Sequence, residues 1–315
     1  MNFREVPIPG TGDHGMSAEV SLTSFNKYPI SVDVPELAFD ILISGCSPSD
    51  PYILVADATT HPVALRPRSD VVAEVNGLVR KLPDTLVQAC PNSESSPLDL
   101  LLKQYLGGDA ATVFVRGTEK PKVDMPDWLA KILASVTVPV PFPGRSFDNL
   151  IRNFSVADVS FKLPGPFSDP DDPDDPDGNP KVSGVIKVLA DVPSEMNFDI
   201  NVTHVRATAD VFYESRKLGE LNLLDWQKAN STKHEAKDGH NASLEIQSRI
   251  VDAPLNVTDS DVFTDVVQEL LFGGEGVVLD IKASVDVKVQ TVLRPLTLKA
   301  IPAEGKIPVK RPSSL

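Results

Sequence analysis

Three things are scarce in this 315-residue chain: cysteine, aromatic side chains and long apolar runs. The two cysteines, Cys46 and Cys90, stand far from the histidines in any zinc-like spacing, so no structural zinc site assembles from local motifs. Their own spacing leaves two readings, a disulfide between Cys46 and Cys90 or two separate thiols. Aromatic residues make up 6% and the net charge is −14, with a pI near 4.8. A chain so acidic and so poor in stacking surfaces excludes a nucleic-acid partner. The best apolar run, 132–144, is broken by Pro139, Pro141 and Pro143 and is too short to cross a bilayer. The opening MNFREVPIPG lacks the apolar core of a signal peptide. Taken alone, these absences place the chain in the cytosol. No G-x-S-x-G elbow, H-E-x-x-H pair or P-loop occurs, which points away from an enzyme and leaves no catalytic residue, metal or cofactor to assign.

What the sequence does contain is a repeat. Residues 100–117 read LLLKQYLGGDAATVFVRG and residues 266–283 read VVQELLFGGEGVVLDIKA. In each copy an apolar pattern of helical period meets a Gly-Gly pair and continues as an alternating strand. Gly107, Gly108, Gly273 and Gly274 are therefore expected to be structural, closing a helix through a left-handed C-cap. Asp99 and Asp265 recur as expected helix-start caps, and Asp109 and Glu275 as exposed turn residues.

Other segments repeat in the same order. Arg4–Pro9 answers Ser155–Gly165, Tyr28–Ile43 answers Asn197–Tyr213, 74–83 answers 245–254, and 136–138 answers 296–298. Alternating strands with one short helix per copy predict two tandem antiparallel β-sandwich domains, 1–145 and 146–315, each with one short helix ending in Gly-Gly. The first copy starts part-way through its opening element, which implies a chain shortened at its N-terminus.

Two motifs carry bland readings. Gly10-Thr-Gly12-Asp-His-Gly15 has the dinucleotide-binding spacing, but the strand pattern after it predicts a hairpin loop rather than a helix facing a pyrophosphate. The acidic loop 168–180, SDPDDPDDPDGNP, lacks the closing glutamate of a calcium loop and is extended by its prolines, so it reads as a solvated segment.

N-x-S/T sequons at Asn153, Asn201, Asn230, Asn241 and Asn256 oppose the cytosolic reading, because five in one domain favour passage through the secretory route and N-glycosylation. The apolar strand rows form a sandwich core or, if the sandwich is splayed, a groove for acyl chains.

The repeated LLLKQYLGGDAATVFVRG and VVQELLFGGEGVVLDIKA resemble fungal sandwich domains related to late-embryogenesis-abundant group 2 proteins (LEA-2-like, Ig-like). The stretches PFPGRSFDNLIRNFSVADVSFKLPG and DAPLNVTDSDVFTDVVQELLFGG are similar to the C-terminal region of the Tag family. These are fungal vacuolar-membrane proteins concerned with terminating autophagy, often described as pre-rRNA processing proteins. The resemblance implies a non-enzymatic module on the lumenal side of the vacuolar membrane, carried in a longer chain by a span absent from these residues. Its implied partners are other lumenal domains or proteins, or a lipid held by an apolar groove. Acidity and few aromatics argue against the ribosomal-RNA role.

Overall fold

The computed structural model describes residues 2–8, 13–121, 123–142, 144, 151–162, 179–192, 196–236, 242–273 and 276–309, in two compact units. The first comprises Met1–Phe147 with Pro193–Asp199 and Thr291–Leu296, and the second Asp148–Val192, Ile200–Gln290 and Thr297–Leu315. The division is thus interleaved: two short pieces of the later sequence group with the first unit.

The first unit contains β1 (Asn2–Pro7), β2 (His14–Phe25), β3 (Val32–Val34), β4 (Ala38–Ile43), β5 (Ile53–Thr60), β6 (Val63–Leu65), β7 (Asp70–Val79), β8 (Ala111–Gly117) and β9 (Thr137–Phe142). Its helices are α1 (Asp84–Val87), α2 (Pro97–Leu106) and α3 (Asp127–Ala134). The second holds β10 (Ile151–Lys162), β11 (Lys181–Asp191), β13 (Asn201–Tyr213), β14 (Arg216–His234), β15 (Ser243–Val257), α4 (Ser260–Gln268), β16 (Val277–Gln290) and β17 (Pro295–Val309). The two-residue β12 (Met196–Asn197) runs parallel to β1 in the first unit.

Each unit is a curled, mainly antiparallel sheet forming a β-sandwich-like body. The strand order is β12-β1-β2-β7-β5-β4-β8-β9 in the first and β10-β11-β15-β14-β13-β16-β17 in the second. Without β12 the two orders superpose strand for strand, with β1 answering β10, β7 answering β15 and β8 answering β16. The duplication read from the Gly-Gly stretches is therefore one of whole topology. The repeat differs in its helices: the first unit has three, not one, since α1 and α3 have no counterpart among the described residues of the second.

Helix ends follow from local chemistry. Ser96 caps α2 in a capping box: its Oγ accepts from the Asp99 N–H at 3.1 Å, and Asp99 Oδ2 accepts from the Ser96 N–H at 2.8 Å, with Pro97 at the first helical position. At the other end Gly107 remains right-handed, φ −76°, and Gly108 takes the left-handed φ of 85°. The second copy is built differently. Asp259 caps α4, accepting from the Asp261 and Val262 N–H groups. Asp265 lies inside the helix and pairs with Arg216 at 2.5 Å, so it is not the cap expected from the repeat. After α4, residues Glu269–Gly273 form a π-helical turn. Gly273 sits in that turn without a left-handed φ; among the described residues that follow, Gly276 takes one, φ 86°. Gly274 and Glu275 lie outside the described residues, as do Gly10, Gly12, 163–178 of the acidic loop region, and Asn241.

Each unit buries its own apolar centre. In the second, Leu218, Leu255, Val262 and Val266 are almost completely buried, with the last two carried by α4. Each such side chain contributes about 1.5–3 kcal/mol of burial free energy. In the first, Ile43, Val79, Leu82, Leu86 and Leu293 form the centre beside Leu98 and Leu101 of α2.

Candidate functional site

An enclosed apolar feature lies inside the second unit. Phe154, Val156, Leu221, Leu223, Leu279 and Ile307 contribute to the wall of an apolar cavity of about 90 Å³. Strand alternation explains the composition: residues at every second position of β13, Val205, Ala207, Ala209 and Val211, face it. Small alanines at 207, 209 and 283 leave the space that larger residues would fill. Where β10 approaches β17, Phe154 crosses Gly305, and a Cβ there would fall 2.5 Å from Phe154 Cδ1. The glycine is what lets the ring close that seam.

A cavity of 90 Å³ is smaller than the engineered ~150 Å³ hole that admits benzene. It holds a few methylenes as it stands, and an acyl chain requires the β10–β17 seam to part.

The described sequon asparagines, Asn153, Asn201, Asn230 and Asn256, are all exposed, on β10, β13, β14 and β15. Asn201 Oδ1 accepts from the Ser231 hydroxyl at 2.9 Å, which leaves its amide nitrogen as the group for a glycan. Cys46 and Cys90 are bonded, with Cα atoms 5.5 Å apart. The bond lies beyond the end of β4 and beyond α1, joining two segments that flank the Ile43, Leu82 and Leu86 core.

The described histidines are dispersed. His14 meets Glu5, His61 meets Asn76, His204 meets Thr203 and His234 meets Glu245. Among the described residues no group of three His, Cys, Asp or Glu side chains is placed to hold a metal ion. No helix among them is long and apolar enough to cross a membrane.

Gly273 borders a second, polar cleft of about 460 Å³ with Tyr213, Glu214, Asp265, Glu269 and Phe272. Burial, then the charges of Glu214, Glu269 and Asp265, push the Tyr213 phenol above its ordinary pKa. Sequence reasoning missed this cleft because its acids come from a β-turn and from two turns of helix.

Residues 196–310, from β12 through β17, match the Tag1 C-terminal domain. The chain is also similar to the uncharacterized protein YLR173W of Saccharomyces cerevisiae, with 20% identity over 296 residues, covering 88% of this chain and 46% of the relative. The chain thus spans about half the length of that relative.

Proposed function

We propose, for a chain whose residues 196–310 match the Tag1 C-terminal domain, that it is a non-enzymatic lumenal module of a vacuolar-membrane protein of the Tag family, acting in the control of autophagy through protein contacts. The observation that carries this reading is the placement of four exposed sequon asparagines on the second unit of a chain whose cysteines are bonded. Glycan acceptance and a structural disulfide both suit an oxidising, secretory compartment.

The test is made on the full-length protein from its own cells. Endoglycosidase is expected to increase its gel mobility, with the shift reduced stepwise by Asn→Gln changes at 153, 201, 230 and 256. A protein with no glycosidase shift, and with both thiols open to alkylation without prior reduction, would sink the lumenal reading.

A second reading, lipid binding, is favoured by the apolar cavity alone. Native mass spectrometry of the purified chain is expected to detect one co-purified lipid, lost in Ala209→Leu, which fills the space between β13 and its facing wall. A chain that stays empty before and after incubation with lipid leaves the cavity as a packing gap.

A further inference from the structure

The outer face of β16, β13 and β14 carries a cationic island in an acidic protein. His204 is directly opposite Lys288 on one neighbour and Lys228 on the other, so the three side chains stand in a row across three strands. Val205 and Val287, next in sequence, are buried and point inward, which fixes the row on the outer face. The fold maintains the row without placing a carboxylate within it.

Asp286, next but one to Lys288 along β16, is already engaged. Asp286 Oδ2 accepts from Arg206 Nε at 2.9 Å and Nη2 at 2.8 Å, while its Oδ1 accepts from the Ala300 N–H at 2.9 Å. Arg206, so fixed, stacks 4.7 Å from the Trp226 ring centre, and Lys288 Nζ stands 4.4 Å from the same centre. Neither Lys288, Lys228 nor His204 makes an ion pair with a carboxylate among the described residues. Other cations of this unit do: Arg152 with Asp191, Arg216 with Asp265, and Lys217 with Asp210 and Glu220.

Two irregularities build the arrangement. A register shift between Val202 and His204 presents Thr203 beside His204, whose Nδ1 lies 3.1 Å from Thr203 Oγ1. On the partner strand, the shift between Leu223 and Gln227 brings Trp226 under the cations. β-bulges of this kind re-aim side chains. The result is a rigid aromatic base, one oriented guanidinium and a row of uncompensated donors, which is the complement of a tri-oxygen anion.

We infer that Lys288, His204 and Lys228, backed by Trp226 and Arg206, form a binding site for a phosphate group on a small molecule or a lipid headgroup. The two sources share the phosphate chemistry and are separated by the experiment. With Trp128→Phe as background, Trp226 is the one remaining tryptophan and reports on the site by fluorescence. Titration with inorganic pyrophosphate is expected to give a saturable change, weakened at least tenfold by Lys288→Gln and unaffected by Lys282→Gln, an exposed lysine further along β16. Unchanged melting temperatures of both variants exclude a folding effect. Sedimentation with phosphatidic acid vesicles, but not with phosphatidylcholine vesicles, and its loss in Lys288→Gln, assigns the phosphate to a lipid. Saturable pyrophosphate binding with no vesicle binding assigns it to a soluble ligand. A linear fluorescence response, or one equal in Lys288→Gln and the parent, combined with no selective vesicle binding, overturns the site.

Discussion

Reducing the Cys46–Cys90 bond is expected to lower the thermal transition of the first unit by roughly 8–16 °C and leave that of the second in place. The bond closes a loop with a sequence separation of 44. By the chain-entropy relation, such a loop contributes about 4 kcal/mol through restriction of the unfolded chain. The closed segment holds β6, α1 and two adjacent interior strands of the unit's large sheet, β7 and β5, so its release frees much of what the Ile43, Val79 and Leu86 core must gather. Calorimetry with and without reductant, and on the Cys46→Ala/Cys90→Ala variant, measures the effect. Two resolved transitions of which only the lower moves support independent units. A common shift of both would mean that the units unfold as one, and an unshifted scan would remove the bond from the stability of the fold.

How much of this was legible in the sequence depends on whether the signal was local. The alternation that pairs Tyr28–Ile43 with Asn197–Tyr213, and the Gly-Gly stretches, are local, and they led to equivalent strands β4 and β13 and to equivalent α2 and α4. The two-sandwich architecture followed from them. β14 was harder to read, because the irregularity at Leu224-Asp225-Trp226 interrupts its alternation. Asp265 looked like a cap because it aligned with Asp99, yet the helix of the second copy begins earlier, at the chemistry of Asp259. Gly273 sits in a π turn rather than at a left-handed cap, and no residue type encodes that turn by itself. The apolar cavity was half legible: the inward rows were visible as apolar alternation, but the gap arises from facing alanines whose partnership is set by register. The row of Lys288, His204 and Lys228 was invisible for the same reason, since its members come from three strands.

Exchanging a residue between the copies gives the second large effect. Gly117 in the first copy occupies the place of Ala283 in the second, yet Gly117→Ala is expected to destabilise the first unit by about 1–3 kcal/mol, the usual cost of overpacking. The reason is α3, which has no counterpart among the described residues of the second unit. A Cβ at 117 would meet Leu133 Cβ and would lie 2.6 Å from the Leu133 carbonyl carbon and 2.8 Å from the Ala134 nitrogen. These are mainly backbone atoms, so no rotamer change relieves them; the helix itself must move. Moving it withdraws Ala130 from its buried seat and loosens the end of β8, where the Thr118 hydroxyl donates to Asp40 at 2.7 Å. A fall in the first transition of roughly 2–12 °C follows. The reciprocal Ala283→Gly meets no helix and loses only strand rigidity and a methyl contact, about 0.5–1 kcal/mol, in the second transition. Thermal unfolding of both variants separates the two costs. If Gly117→Ala melts with the parent, α3 does not rest on β8, and the glycine of the first copy is merely a strand terminus.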